Sequence, residues 1–193
     1  MSGHYFEDDP GVEDRRQDVV MTAWGHELTM TTATGVFARD GLDRATDVLL
    51  RHDEPPSGTV LDLGSGWGAI ACAVAATGAT VWAVDVNERA LELTRLNAER
   101  AGLAVTAGRP EEVPDDVRFD AIWSNPPIRV GKDALHELLL TWLPRLTDDG
   151  EARLVVGKNL GADSLQRWLA DQGWPTDRVA SERGFRVLRT RRG

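Results

Sequence analysis

Apolar and polar residues alternate along the chain in a way that predicts repeated strand and helix units. Short apolar runs that end in glycine or a polar residue are "GTVLDLGSG", "ATVWAVDV", "LAVTAG", "VRFDAIWSN" and "EARLVVG". Between them lie segments with helical spacing, "WGAIACAVAATG", "ERALELTRLNAERAG", "DALHELLLTWLPRLTDDG" and "ADSLQRWLADQG". Units that alternate in this way form a parallel sheet with helices on both faces. We therefore predict a doubly wound α/β fold.

The two ends of the chain differ from this repeat. "DRVASERGFRVLRTRR" predicts a C-terminal antiparallel hairpin that turns at Arg183-Gly184, which makes a mostly parallel, Rossmann-like, seven-stranded sheet. Near the other end, "DVVMTAWGHELTMTT" predicts a small hairpin and "GLDRATDVLLRH" a helix from Leu42, before the break at Pro55-Pro56. We predict a single domain over residues 1–193, with a β/α extension (1–56) and a cofactor-binding and catalytic core (57–193).

Composition and charge exclude several classes of protein. A chain of 193 residues with 41% hydrophobic content is expected to be globular. Its one cysteine, Cys72, lies in an apolar segment, so we expect no intrachain disulfide and no metal site. We see no apolar leader and no run near the roughly 20 residues that span a bilayer, which predicts a cytoplasmic protein, by default a monomer. A net charge of −9 argues against coating nucleic acid by charge alone.

The first candidate site is the glycine-rich "LDLGSGWGAI", where a buried strand passes into a helix. Gly64, Gly66 and Gly68 allow the backbone to approach a nucleotide-type ligand closely, although the same letters also fit a dinucleotide fingerprint. Asp62 favours a cationic ligand over a pyrophosphate. Asp85, which closes the next strand, suits the hydroxyls of a ribose. The alternatives are a helix-capping Asp62 and a turn-forming Asp85.

The second candidate site is the turn "SNPPI", which follows the fourth core strand. Pro126 and Pro127 cannot continue a strand or enter a helix, so they make a stiff turn. In a doubly wound sheet the fourth strand lies beside the first, so Asn125 would face the glycine loop across a crevice. The Asn125 amide oxygen and the Pro126 carbonyl would accept both hydrogens of a planar NH2 group, whose nitrogen would then face a methyl donor.

Together these motifs resemble those of a known family. "DLGSGWG", Asp85 and "NPPI" are similar to those of class I S-adenosylmethionine-dependent methyltransferases, and "HYFEDDP", "GVFARDGLD", "SNPPIRVGK" and "GFRVLRTRR" resemble the ribosomal RNA small-subunit methyltransferase C family, which acts on guanine N2. The resemblance implies S-adenosylmethionine as cofactor. It implies catalytic roles for Asn125, Pro126, Pro127 and Ile128. It implies cofactor contacts by Phe37, Asp40, Asp62, Gly64, Ser65, Gly66, Gly68, Asp85, Val86, Ala107 and Asn125, with a core aromatic as the alternative for Phe37.

Two departures from the family pattern weaken parts of this prediction. Ile128 stands where relatives often carry an aromatic that stacks on the target base. The segment "TAGRP" lacks the acid that many relatives place against the adenine, which leaves the Ala107 backbone. The larger ribosomal enzymes also have a second, degenerate N-terminal domain that we do not see in this sequence, which leaves open a target nucleotide other than theirs.

Basic residues after the strands predict a rim that would contact RNA. The last sixteen residues hold six arginines against one glutamate, and Arg129, Lys132, Lys158 and Arg186 are the rim candidates. Arg129 and Lys132 have the alternative of capping the next helix or pairing with Asp133 and Glu137. We expect methylation of guanine N2 in 16S ribosomal RNA. The alternatives are a protein glutamine or small-molecule amine as acceptor, an NAD-dependent oxidoreductase, or a non-catalytic nucleotide-binding module.

Overall fold

A computed structural model describes residues 14–127 and 131–193 of the chain. Its elements, in chain order, are β1 (Arg16–Ala23), β2 (His26–Ala33), α1 (Arg44–His52), β3 (Thr59–Leu63), α2 (Ala69–Ala76), β4 (Thr80–Val84), α3 (Glu88–Ala101), β5 (Val105–Gly108), β6 (Phe119–Ser124), α4 (Lys132–Trp142), β7 (Leu146–Gly157), α5 (Ala162–Asp171), β8 (Thr176–Glu182) and β9 (Phe185–Arg191).

The predicted seven-stranded, mostly parallel sheet is confirmed. Its strand order is β5-β4-β3-β6-β7-β9-β8. Strands β3 to β7 run parallel to one another, and β9 is antiparallel to both β7 and β8. The first core strand, β3, lies between β4 and the fourth, β6, as predicted. The connection reverses at this point, which opens a crevice at the carboxyl ends of the two strands.

Two boundaries differ from the sequence prediction. The helix predicted to run to Gly150 ends at Trp142, a 3₁₀ turn follows over Leu143–Arg145, and β7 begins at Leu146. Pro144 accounts for the end of the helix, because it has no N–H to donate to the helical hydrogen-bond ladder. Helix α1 begins at Arg44 instead of Leu42, because the Asp43 side chain accepts from the Ala45 and Thr46 N–H groups and caps it.

The N-terminal hairpin forms its own two-stranded sheet and packs against the core. Asn97 on α3 accepts from the Thr31 N–H and donates to the Thr31 and Trp67 carbonyls, at distances of 2.7 to 2.9 Å. Met30 of the hairpin and Leu49 of α1 belong to the same buried cluster as Val60 of β3. Cys72 is buried. In the part of the chain that the structure describes, no helix is long and apolar enough to cross a membrane.

Candidate functional site

The glycine loop between β3 and α2 lies at the carboxyl end of the sheet. The N–H groups of Gly64 and Ser65 both donate to the Val84 carbonyl at the end of β4. Gly64, Gly66 and Gly68 have φ angles of 78°, 55° and 87°, a region that side chains rarely adopt. A Cβ on Gly66 would meet no atom within 4 Å, whereas one on Gly68 would lie 3.0 Å from Thr94. Gly66 therefore borders open space, while packing against Thr94 requires a glycine at position 68.

Asp85 links the end of β4 to this loop. Its Oδ2 accepts from the Gly66 N–H at 2.9 Å, and its Oδ1 accepts from the Asn87 N–H, also at 2.9 Å. The second contact is the turn that the sequence allowed as an alternative. Each carboxylate oxygen has a further lone pair, so a half-buried Asp85 can still accept from two hydroxyl groups. Val86 follows it, also half-buried.

Asp62 lies completely buried on β3, behind the glycine loop. Its Oδ2 accepts from the Ala71 N–H at 2.9 Å, which is the helix-capping alternative, but its Oδ1 has no partner among the described residues. The Oγ of Ser65 is likewise buried without a described partner. Burial raises the pKa of Asp62 to about 8, with a smaller contribution from the charge of Asp85. The two unsatisfied oxygens fit a ligand that brings a cationic N–H donor.

The Asn-Pro-Pro turn stands beside the glycine loop, as the sequence predicted. The Ser124 hydroxyl donates to the Leu63 carbonyl at 2.6 Å, which joins the ends of β6 and β3. The Cδ of Pro127 lies 3.8 Å from the position that a Cβ on Gly64 would take. Asn125 is half-buried and Pro126 is buried. Ile128 and Arg129 lie outside the described residues.

The Asn125 side chain has partners that the sequence analysis missed. Its Nδ2 donates to Asp43 Oδ2 at 2.8 Å and to Thr46 Oγ1 at 3.1 Å. Both acceptors belong to the start of α1, about 80 residues earlier in the chain. Asp43 could be recognised in the sequence as a helix cap, but no sequence signal connects it to Asn125.

The segment before α1 is anchored to the start of α3 and to the glycine loop. Asn87 Nδ2 donates to the Gly35 carbonyl at 3.1 Å, and Trp67 Nε1 donates to the Ala38 carbonyl at 3.2 Å. Phe37 is 50% exposed between these two anchors, so it is not a core aromatic. The Asp40 side chain is 91% exposed and lies 3.8 Å from Arg39.

The Ala107 backbone is already partly engaged. Its carbonyl on β5 accepts from Arg95 Nε at 3.2 Å, and Arg95 in turn pairs with Glu88. The part of Ala107 that remains for an adenine is therefore smaller than the sequence suggested. Among residues 14–127 and 131–193, no group of three or more His, Cys, Asp or Glu side chains could hold a metal ion.

The predicted rim divides into exposed and buried residues. The sequence contains two lysines, Lys132 and Lys158, and both are exposed where they follow β6 and β7 at the crevice edge. Arg186 is only 8% exposed and pairs with Asp163, so it offers no open cation at the rim. Strand β9 runs antiparallel to β7, and its Arg191 pairs with Glu151, so Arg191 and Arg192 lie at the amino end of β7, away from the crevice.

Acidic residues cluster at the opposite end of the strands from the crevice, where β6 and β7 begin. One cavity at the amino ends of β6 and β7 is lined by Asp53, Glu54, Asp120, Asp149 and Glu151, together with Arg153. Arg153 pairs with Asp53 and Glu151, at 2.5 and 2.6 Å. This end of β6 and β7 therefore carries five carboxylates, whereas Lys132 and Lys158 follow the opposite ends of the same strands.

Comparison with known proteins identifies the family. The model of the "Methyltransferase small domain" family matches residues 27–189. This chain belongs to that family. Members use S-adenosylmethionine as methyl donor, as the sequence predicted, and the open space at Gly66 and the unsatisfied oxygens of Asp62 and Ser65 fit it.

Similar proteins include one that aligns over its entire length and others that are about twice as long. The chain is 30% identical to the uncharacterized protein YbxB of Bacillus subtilis, with each chain covered completely. It is 37% identical to ribosomal RNA small subunit methyltransferase C of Ectopseudomonas mendocina, over 86% of this chain and 51% of that protein. It therefore spans about half the length of the relatives with that name.

A solved structure supports the fold. A 16S rRNA N2 methyltransferase of T. thermophilus, in complex with AdoMet and guanosine, superimposes with a TM-score of 0.84. The superposition covers 97% of this chain and 53% of the T. thermophilus chain, and the two sequences are 23% identical. The likeness confirms the class I methyltransferase fold.

The raised pKa of Asp62 predicts that cofactor binding releases a proton. The folded pKa of about 8 exceeds the ordinary 3.8, so the folded protein binds more protons than the unfolded one between these values. The contribution of Asp62 to stability is therefore greatest below about pH 4 and declines as pH rises to about 8. A cationic ammonium group beside Asp62 would favour its ionised form. At pH 7 we expect release of nearly one proton on binding of S-adenosylmethionine.

Calorimetric titrations in two buffers of different ionisation enthalpy measure this release. Asp62→Asn keeps an acceptor for the Ala71 N–H but cannot lose a proton, so its binding enthalpy should not depend on the buffer. A buffer-independent enthalpy for the unmodified protein would show that Asp62 does not change its protonation on binding.

Proposed function

We propose that this protein transfers the methyl group of S-adenosylmethionine to N2 of a guanine in 16S ribosomal RNA. The observation that carries the proposal is the Asn-Pro-Pro turn beside the glycine loop, with Pro127 Cδ 3.8 Å from the Cβ position of Gly64. An acceptor held at that turn would lie next to a cofactor held by the loop. The relatives named ribosomal RNA small subunit methyltransferase C support the choice of acceptor, because the similarity covers 86% of this chain.

The chemistry requires positioning more than acid or base strength. The cofactor supplies an electrophilic methyl group on a sulfonium, so the C–S bond breaks as the N–C bond forms. The Asn125 amide oxygen and the Pro126 carbonyl oxygen would each accept a hydrogen bond from one of the two N–H groups of the guanine amine. This directs the nitrogen lone pair across the crevice, and the methylated amine then loses a proton to solvent. Preorganisation of this kind accounts for large rate effects in enzymes.

An RNA substrate is supported by the charges at the crevice edge. Lys132 and Lys158 are exposed there, whereas the acidic cavity lies at the other end of the strands. Phosphates of a structured RNA would therefore meet cations at the crevice and carboxylates elsewhere. A protein glutamine or a small amine would need no such contacts. We propose that the protein acts as a cytoplasmic monomer, and that residues 1–193 form one methyltransferase domain.

The direct test uses 16S rRNA, free and in small-subunit particles, with methyl-labelled S-adenosylmethionine. Nuclease digestion should yield labelled N2-methylguanosine. Label in ribosomal protein alone, or in no macromolecule, would contradict the proposed acceptor.

Charge reversal tests the crevice edge separately. For Lys132→Glu/Lys158→Glu we expect the KM for RNA to rise about tenfold or more, with a weaker dependence on salt, because phosphate contacts dominate RNA affinity. The matched control is Arg178→Glu, exposed on the far edge strand β8, which should leave KM within about twofold.

The lysine pair also allows a footprint. An amine-reactive ester labels only the two lysines and the N-terminal amine, and bound RNA should protect both lysines. Full labelling of both lysines in the complex would show that they do not contact the RNA.

A further inference from the structure

We propose that Asp43 is a positioning residue of the methyl transfer, acting through Asn125. With Thr46, it holds the Asn125 amide so that its oxygen faces the acceptor amine. The inference rests on the proposed function, since it concerns the acceptor site of that reaction. Asp43 belongs to the N-terminal extension (1–56), whereas Asn125 belongs to the core (57–193).

The orientation of Asn125 follows from its two partners. Asp43 Oδ2 lies 2.8 Å from the amide nitrogen and Thr46 Oγ1 lies 3.1 Å from it. An ionised carboxylate only accepts hydrogen bonds, so the NH2 end of the amide must face Asp43. The amide oxygen then points away from α1. The reverse orientation would put two oxygens against each other and present an NH2 group to the amine of the substrate.

Asp43 is itself held in place by the helix that it caps. The same Oδ2 accepts from the Ala45 N–H at 2.9 Å and from the Thr46 N–H at 3.2 Å. Helix α1 is anchored by Val48 and Leu49, which are fully buried. Two backbone donors therefore fix this oxygen as an acceptor, and it cannot turn away from Asn125 without uncapping α1.

Three substitutions at position 43 separate capping from positioning. Asp43→Asn can place its amide oxygen where Oδ2 lies, so it keeps both the cap and the contact to Asn125. Asp43→Ser keeps the cap, because serine is among the preferred N-cap residues, but its side chain is too short to hold Asn125. Asp43→Ala removes both. Capping alone would make the first two variants equivalent.

We expect the kcat values of these variants to differ. Asp43→Ser should lose about 10- to 100-fold in kcat, in the range seen when one preorganised contact is removed, with an unchanged Kd for S-adenosylmethionine. Asp43→Asn should rescue kcat to within about threefold of the original protein. The Tm values of Asp43→Ser and Asp43→Asn should be similar, and the Tm of Asp43→Ala should be lower than both, because alanine removes the helix cap. Equal kcat for Asp43→Ser and Asp43→Asn would overturn the proposal.

A second measurement needs no substrate. In the protein labelled with ¹⁵N asparagine, the side-chain NH2 protons of Asn125 should exchange slowly with solvent, and they should do so in Asp43→Asn as well. In Asp43→Ser they should exchange at least tenfold faster. Unchanged protection in Asp43→Ser would show that Asp43 does not hold the amide. If the protein methylated no RNA, the proposed acceptor would fail, while this exchange would still decide the orientation of Asn125.

Discussion

Asn125→Ala is expected to lower kcat by about 100- to 1000-fold, as removal of a preorganised hydrogen-bonding group does in other enzymes. The variant loses the side-chain acceptor for the amine and leaves only the Pro126 carbonyl, so the nitrogen is no longer aimed at the methyl group. The Kd for S-adenosylmethionine should stay within about threefold, because the proposed cofactor contacts of Asp62 and Asp85 lie outside the substituted turn. Single-turnover methylation and calorimetric titration measure the two quantities.

Asn159→Ala is the matched control, because Asn159 is exposed in the 3₁₀ turn after β7. It should retain kcat within about twofold, as for most surface substitutions. Turnover by Asn125→Ala close to that of the original protein would show that the acceptor is not held at the Asn-Pro-Pro turn. The oxidoreductase alternative gives this turn no role and therefore predicts that outcome.

Asp85→Ala is expected to weaken S-adenosylmethionine binding by about 100-fold or more. Hydrogen bonds to charged groups contribute about 1.5–3 kcal/mol each, so losing two ribose contacts is enough for this change. The variant also leaves the Gly66 and Asn87 N–H groups without their acceptor, which loosens the glycine loop. The Kd from calorimetric titration measures the effect, and NAD should bind neither protein.

Asp85→Asn separates the contribution of the negative charge from that of the hydrogen-bond acceptor. The amide keeps one acceptor for the loop or the ribose but loses the charge, so we expect a Kd about tenfold higher than that of the original protein. Asp148→Ala is the control, because the Asp148 side chain is 97% exposed at the opposite edge of the sheet. An unchanged Kd in Asp85→Ala would remove Asp85 from the cofactor site.

Much of the fold could be predicted because its signals are local. The period of apolar residues and the glycines at strand ends placed the elements, and the Asn87 cap and the Gly102 stop of α3 are both present. The boundary between α4 and β7 was misplaced, because the apolar residues of "LPRLTDD" suit either element. Leu143–Arg145 forms a 3₁₀ turn, and the strand begins where Leu146 pairs with Phe119 of β6.

The candidate site was predicted in part for the same reason. Glycines, an acid at the end of a strand and a double proline each restrict the backbone locally, so the loop and the turn could be located from the sequence. Arg186 could not be judged in this way. Its charge suggested a phosphate contact, but its exposure depends on α5, which brings Asp163 against it.

The sequence by itself determined the order of strands and helices, the two loops that meet at the crevice, and the family to which the chain belongs. Only the tertiary structure decided how those loops are completed. Burial, which depends on every element packed around β3, raises the pKa of Asp62 to about 8. The contact of Asp43 with Asn125 joins residues about 80 positions apart, and only the packing of α1 against the core brings them together. Local patterns encode conformation, whereas the protonation and orientation of site residues follow from neighbours that are distant in the chain.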